Sequence, residues 1–305
     1  TTNDYITADP DASLFLRYAE EVVKNGNLPV IDKMRFYPLG LPTIDTSPII
    51  PHTIALIYRI MHAFNSNVTI GFASDVYPVI FFILGSVAFY FLVSRLFNKK
   101  IALLATFILS VLPTYLFRTM AGVGDHAPLG TFFFFCALAI YISALNFMNK
   151  LNTSNKQMFY SVLIAAALGL TTFLSLLGWP GVGDYLIMIA PFSFALFWLI
   201  KFQKLQNNGI EKNDKREAIK LICFYTSWII FTLIFFLIFC VGLQTGLDKF
   251  LLNTYGTFVW GIFIFILADF MFILAGKREL LRKFRKYLAI IIVAGLIILS
   301  LFTVL

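Results

Sequence analysis

The sequence predicts an all-α protein, a polytopic membrane helix bundle of about eight spans preceded by a helical first outer loop. Three observations carry this. Of its 305 residues 59% are hydrophobic and 13% charged, whereas a water-soluble domain needs roughly 25% charged residues to face solvent. Runs almost free of charge recur along the chain, each long enough to cross about 30 Å of hydrocarbon, which takes roughly 17 to 25 helical residues. Finally, Lys and Arg gather in alternate connections between those runs, the pattern of cytoplasmic loops. Soluble enzyme folds are excluded. The net charge of +8 is a topology signal and not a nucleic-acid footprint.

Residues 1–75 form the first unit. A helix is expected from Ala12 to Asn25, with Asp11 as N-cap, Leu14, Phe15, Tyr18 and Val22 on one face, and Gly26 as its stop. A loop rich in Pro, Asp and Thr follows from Leu28 toward Pro51. Ile49 to Phe64 is apolar but short and carries His52, Arg59 and His62, so it reads as an interfacial helix.

Residues 76–305 form the bundle. Its spans are expected at about Val76–Val93, Ile101–Phe117, Leu129–Met148, Met158–Gly178, Val182–Ile200, Leu221–Leu243, Phe250–Ala275 and Tyr287–Leu305. Acids enter only two of them. Asp184 lies near an end and reads as interfacial; Asp269, as a carboxylate in a span, is either functional or paired with Lys277 and Arg278, two turns away. Asn207 to Glu217 reads as a solvated loop. Cys136, Cys223 and Cys240 sit in apolar runs without motif spacing, which excludes a disulfide framework and a zinc site.

Parity sets the orientation. Seventeen of the 24 basic residues fall in the connections around Arg95 to Lys100, Lys150 to Lys156, Lys201 to Lys220 and Lys277 to Lys286, against Arg118 and Lys249 in the opposing ones. Residues 1–75 are therefore expected outside the cytoplasm, in a multi-pass protein of the cell membrane. Nothing in the chain would carry them there, and it opens at Thr1, so it reads as a fragment lacking an upstream span.

The chemically suggestive groups are acids at the outer mouths of the spans. Asp11 lies in the first outer loop, and Asp125 lies in Arg118-Thr119-Met120-Ala121-Gly122-Val123-Gly124-Asp125-His126-Ala127-Pro128. Both face one compartment and could share a hard divalent cation, which prefers carboxylate oxygens. Each also precedes a helix, where Asp is a favoured N-cap, and on residue type alone capping is the commoner role. His126 alone reads more readily as a hydrogen-bonded interfacial histidine than as a ligand.

Four landmarks occur in order. Asp11 precedes Arg17 by six residues; Asp32 and Arg35 precede Tyr37-Pro38-Leu39-Gly40; Arg118 precedes Asp125 by seven; and Trp179-Pro180-Gly181 forms an outer turn. In this set the chain resembles the N-terminal membrane part of the catalytic subunit of oligosaccharyltransferase, in its archaeal form, a glycosyltransferase of the GT-C class. The resemblance covers nearly the whole chain, as spans two to nine. It leaves outside the first span, a fifth outer loop with its acid, and a soluble C-terminal domain with a Trp-Trp-Asp motif.

What the resemblance implies is protein N-glycosylation: transfer of a glycan from a polyprenyl pyrophosphate carrier to asparagine in Asn-x-Ser/Thr acceptor polypeptides, on the extracytoplasmic face. Lipid-linked oligosaccharide, acceptor polypeptide and membrane lipid would be its partners, and Mn2+ or Mg2+ its cofactor. Asp11, Arg17 and Arg118 would serve catalysis, and Asp11, Asp125 and His126 would hold the metal, with Asp9 of the Asp9-Pro10 pair as the fallback for Asp11. One departure stands out. The family carries an acid or His two residues after the second motif's Asp, where this chain has Ala127, so His126 or water must substitute or the metal is held weakly. The competing readings are another GT-C enzyme, transferring sugar to a hydroxyl or a lipid, and a transporter, for which polar groups should converge at mid-membrane.

Overall fold

A computed structural model describes residues 9–43, 47–150, 155–206, 210–239 and 254–287. Over these residues the protein is an all-α membrane bundle. Sheet among the described residues is confined to β1 (Ile31–Asp32) pairing antiparallel with β2 (Leu41–Pro42).

Two amphipathic helices precede the bundle. Helix α1 (Pro10–Asn25) buries Phe15, Tyr18 and Val22 on its predicted face, and Gly26, at φ +83°, ends it by donating its N–H to the Val22 carbonyl. Helix α2 (Ile49–Phe64) has the predicted bounds. Phe15 and Ala19 of α1 and Ile50 and Ile54 of α2 pack with Tyr77, Phe81 and Leu129 into one buried cluster. That cluster fixes the two helices on one end of the bundle.

The long helices follow: α3 (Ile70–Leu96), α6 (Ala127–Lys150), α7 (Asn155–Gly178), α8 (Pro180–Lys201) and α9 (Lys212–Phe239). Each is long and apolar enough to cross a membrane. The stretch expected as one span, Ile101–Phe117, is instead two helices, α4 (Lys99–Val111) and α5 (Pro113–Thr119), bent by 65°. The cause is local. Pro113 has no N–H to continue the ladder and forces Leu112 out of the helical region, to φ −69° and ψ 119°. The seventh stretch is described as α10 (Thr254–Ala275), and a further helix, α11, covers 278–287. The last predicted span lies, beyond Tyr287, outside the described residues.

Helix α3 packs on α6, α6 on α7, α7 on α9, and α8 on α10. The largest core lies among α6 to α10, where Trp198, Tyr225, Phe194 and Phe224 are fully buried. At the end opposite α1 and α2, cations close the helices. Lys220 Nζ donates to the Met148 carbonyl of α6, and Lys215 Nζ donates to Leu274 O of α10. These carbonyls are the acceptors a helix C-terminus leaves unmet.

The same end corrects the reading of Asp269. Its partner is Arg285, from α11, rather than Lys277 or Arg278. Arg285 Nε donates to Oδ1 at 2.8 Å and Nη2 to Oδ2 at 2.7 Å, while Trp198 Nε1 donates to Oδ2 at 2.7 Å. Arg285 Nη1 also donates to the Phe202 carbonyl. Asp269, fully buried, therefore joins α8, α10 and α11. The side chain of Asp184, in the first turns of α8, lies outside what is described.

Candidate active site and metal centre

The first acidic motif is divided between two roles. Asp9, not Asp11, is the N-cap of α1: its Oδ1 accepts from the Asp11 N–H at 2.8 Å, and Pro10 occupies the position where a missing N–H costs nothing. Moving the cap two residues upstream places Asp11 in the first turn, with its side chain exposed. The alternative duty that competed for Asp11 is met by its neighbour.

The second motif sits on a tight turn between α5 and α6. Gly122 adopts φ +83°, a conformation open to glycine, and donates its N–H to the Asp75 carbonyl of α3. Gly124 lies against Ser74 and Ala12, and a Cβ there would stand 3.6 Å from the Ala12 Cβ. The contact places the start of α1 against this turn. Asp125 is buried, and its two oxygens are both engaged. Oδ2 accepts from Arg118 Nη1 at 3.0 Å, and Oδ1 from the His126 N–H at 2.5 Å. Tyr77 donates its hydroxyl to the Asp125 carbonyl.

His126 is oriented from a third direction. Its Nδ1 lies 3.2 Å from the Gly178 carbonyl, so Nδ1 is the donor and the lone pair of the neutral ring remains on Nε2. Phe15 of α1 meets the ring edge-on, with centroids 4.9 Å apart. The carbonyl reaches this far because α6 and the end of α7 touch through glycines. A Cβ on Gly130 would fall 2.4 Å from Trp179 Cβ, and one on Gly178 would fall 3.4 Å from the Gly130 nitrogen. The Trp179-Pro180-Gly181 turn thereby holds the backbone that orients His126.

These constraints converge. Ligand atoms of Asp11, Asp125 and His126 lie within 4.8 Å of one another, close to the span across one divalent ion with oxygen or nitrogen ligands at about 2.0–2.6 Å. Two carboxylates and an imidazole whose other nitrogen is tied to a carbonyl make a donor set that fits such an ion. Ala127 contributes none, and it is 1% exposed in the first turn of α6.

Arg17 is not in this cluster. It pairs with Asp32 through both oxygens, instead of with Glu20 or Glu21, and Tyr18 OH adds a bond of 2.8 Å to Asp32 Oδ2. Arg17 and Asp32 thus pin the β1–β2 loop to α1. The Arg17 guanidinium in particular lowers the Asp32 carboxyl to about 2. A carboxylate depressed on folding stabilises fully above its unfolded value near 4 and loses that contribution as pH falls toward 2. The melting-temperature gap between the protein and its Asp32→Asn variant is therefore expected to be constant from pH 7 to 5 and to close below pH 4.

Three contributors were not singled out in the sequence: Tyr77, the Gly178 carbonyl and the Gly124–Ala12 contact. Gly122 and Gly130 were the available signal, since glycine marks a left-handed turn or a close backbone approach.

Comparison with known proteins follows the same lines. The family profile "Oligosaccharyl transferase STT3, N-terminal" matches residues 5–270. Among solved structures, the archaeal oligosaccharyltransferase AglB from Archaeoglobus fulgidus, in complex with an inhibitory peptide and a dolichol-phosphate, superposes with a TM-score of 0.66 at 19% identity. The match covers 99% of this chain and 34% of that one. The Archaeoglobus fulgidus oligosaccharyltransferase in complex with Zn and sulfate gives 0.62 at 19% identity, covering 100% and 37%. The same enzyme in the apo form gives 0.66 at 20% identity, covering 97% and 34%. Curated protein sequences yield no match. The chain spans about a third of the length of the solved structures it matches. With most of its length matched by the profile, the chain belongs to the oligosaccharyl transferase STT3 N-terminal family.

Proposed function

We propose that this chain is the membrane part of an oligosaccharyltransferase that moves a glycan from a polyprenyl pyrophosphate carrier to asparagine in Asn-x-Ser/Thr segments, at the extracytoplasmic face of the cell membrane. The observation that carries the reading is the convergence of Asp11, Asp125 and His126 at one end of the bundle, in a chain of this family. The dolichol-phosphate and the acceptor peptide containing an NVT sequon, in the Archaeoglobus fulgidus structures, support a lipid and a peptide as partners. The basic connections, all at the opposite end of the helices from α1, support the outward orientation.

Asp11 and Asp125 divide the chemistry. An amide nitrogen is a poor nucleophile because its lone pair is delocalised into the carbonyl; the exposed Asp11 carboxylate can accept an amide N–H and loosen that conjugation. Asp125 and His126, with Asp11, would hold a divalent ion, for which the Zn-bound relative is also an argument. Such an ion supplies Lewis-acid stabilisation of a pyrophosphate leaving group. Arg118 holds Asp125 in place, and its side chain, 48% exposed, stays within reach of phosphate oxygens. The mixed oxygen and imidazole donors favour Mn2+ over Mg2+.

The test is a transfer assay on the complete enzyme, with lipid-linked oligosaccharide and an Asn-x-Thr peptide. Glycan on the asparagine is the expected product. Transfer to a hydroxyl or a lipid acceptor would instead support another GT-C enzyme. In the same assay after chelation, His126→Ala is expected to raise the Mn2+ concentration for half-maximal rate tenfold or more, since even the loss of a partner that only orients a metal ligand costs roughly 10–100-fold. An unchanged requirement would remove His126 from the donor set.

A further inference from the structure

A cleft of about 850 Å³ opens between α3, α6 and α7 at the end of the bundle away from the acidic cluster. Its volume is in the range of ligand sites, roughly 300–1,000 Å³. Small residues create it. Ala139 and Ser143 of α6 and Ala167 of α7 leave the space, while Phe91 and Leu163, each about half exposed, wall it. Ser94 and Ser143 return their hydroxyls to the Phe91 and Ala139 carbonyls of their own helices, at 2.8 and 2.6 Å. Apart from Asn146, which donates to the Arg95 carbonyl at 3.4 Å, the interior is therefore apolar in effect.

Its mouth is basic. Arg95, in the last turn of α3, lines the cleft. It is exposed and has no ion pair among the described residues. Lys99 and Lys100 open α4 directly beyond it and are exposed as well. Helix α7 begins at Asn155 on the same side, so the positive end of its dipole adds to this field.

Height selects the occupant. From Ala139 to Phe147 the cleft follows α6 for about 12 Å at 1.5 Å per residue, close to one leaflet of a hydrocarbon core about 30 Å thick. A spanning helix would need a groove twice as long. We infer that this cleft binds an anionic phospholipid of the cytoplasmic leaflet, its acyl chain between α3, α6 and α7 and its phosphate at Arg95. Basic pockets between membrane helices on that side recognise such headgroups. The leaflet rests on the orientation proposed above, but the site is separate from the Asp11 cluster, so its failure would leave the proposed glycosyl transfer standing.

Native mass spectrometry tests it, with the full chain purified from vesicles of equimolar phosphatidylglycerol and phosphatidylcholine. One phosphatidylglycerol is expected to be retained in preference to phosphatidylcholine. Arg95→Gln, a surface substitution, should lower that preference about fivefold, the scale of one basic residue at a membrane surface. Ser143→Leu should fill the cleft and reduce retention of both lipids. Equal retention of the two lipids by the unaltered protein, or a preference unmoved by Arg95→Gln, would overturn the inference.

Discussion

Asp125→Asn in the complete enzyme is expected to lower turnover by a hundredfold or more, with the melting temperature nearly unchanged. The magnitude is that of deleting one preorganised electrostatic stabiliser, about 2.7–4 kcal/mol. The asparagine is nearly isosteric and keeps an acceptor for the His126 N–H, so the turn between α5 and α6 is preserved. What it removes is the negative charge shared by Arg118 and any bound cation. Asp11→Ala should fall as steeply. Asp9→Ala separates catalysis from capping: it loses the bond to the Asp11 N–H and should cost about 1 kcal/mol of stability, the usual value of an N-cap. Near-normal transfer by Asp11→Ala would leave that carboxylate without a catalytic role.

Arg285→Ala carries the largest expected effect on stability. Removing one partner of a buried ion pair costs about 3–5 kcal/mol because the other charge is left without compensation. Here Asp269, at 0% exposure, would keep only the Trp198 N–H, and the Phe202 carbonyl would lose its donor. The measurement is thermal unfolding in lipid nanodiscs. The double variant Asp269→Leu, Arg285→Met should recover most of the loss, since an apolar replacement of similar volume removes both desolvation penalties. A single variant as stable as the parent would show that water reaches this pair.

The contrast between Asp269 and Asp11 shows what a sequence can carry. Apolar runs and basic connections are local properties, so membrane helices and the amphipathic faces of α1 and α2 were open to reading along the chain, whereas Pro113 lay inside a run read as one span. Partner choice was not. Asp269 has Lys277 and Arg278 near it in sequence, yet it binds Arg285 because α11 lies back against α8 and α10. Arg17 likewise passes over Glu20 and Glu21 for Asp32, which the β1–β2 turn carries back to α1.

The candidate site follows the same division. The residue types, their order and the spacing of Asp11, Arg118 and Asp125 stand in the sequence, and with them the resemblance to a glycosyltransferase family. Only the tertiary structure decided that Asp9 caps α1 and leaves Asp11 available, that His126 stands with both acids, and that the Gly178 carbonyl orients its ring. The reason is physical. A hydrophobic pattern specifies which face of a helix is buried, but a site of three side chains depends on how closely separate helices approach. Here that approach is set at Gly130, where a Cβ would fall 2.4 Å from Trp179 Cβ and its absence lets α6 meet the end of α7.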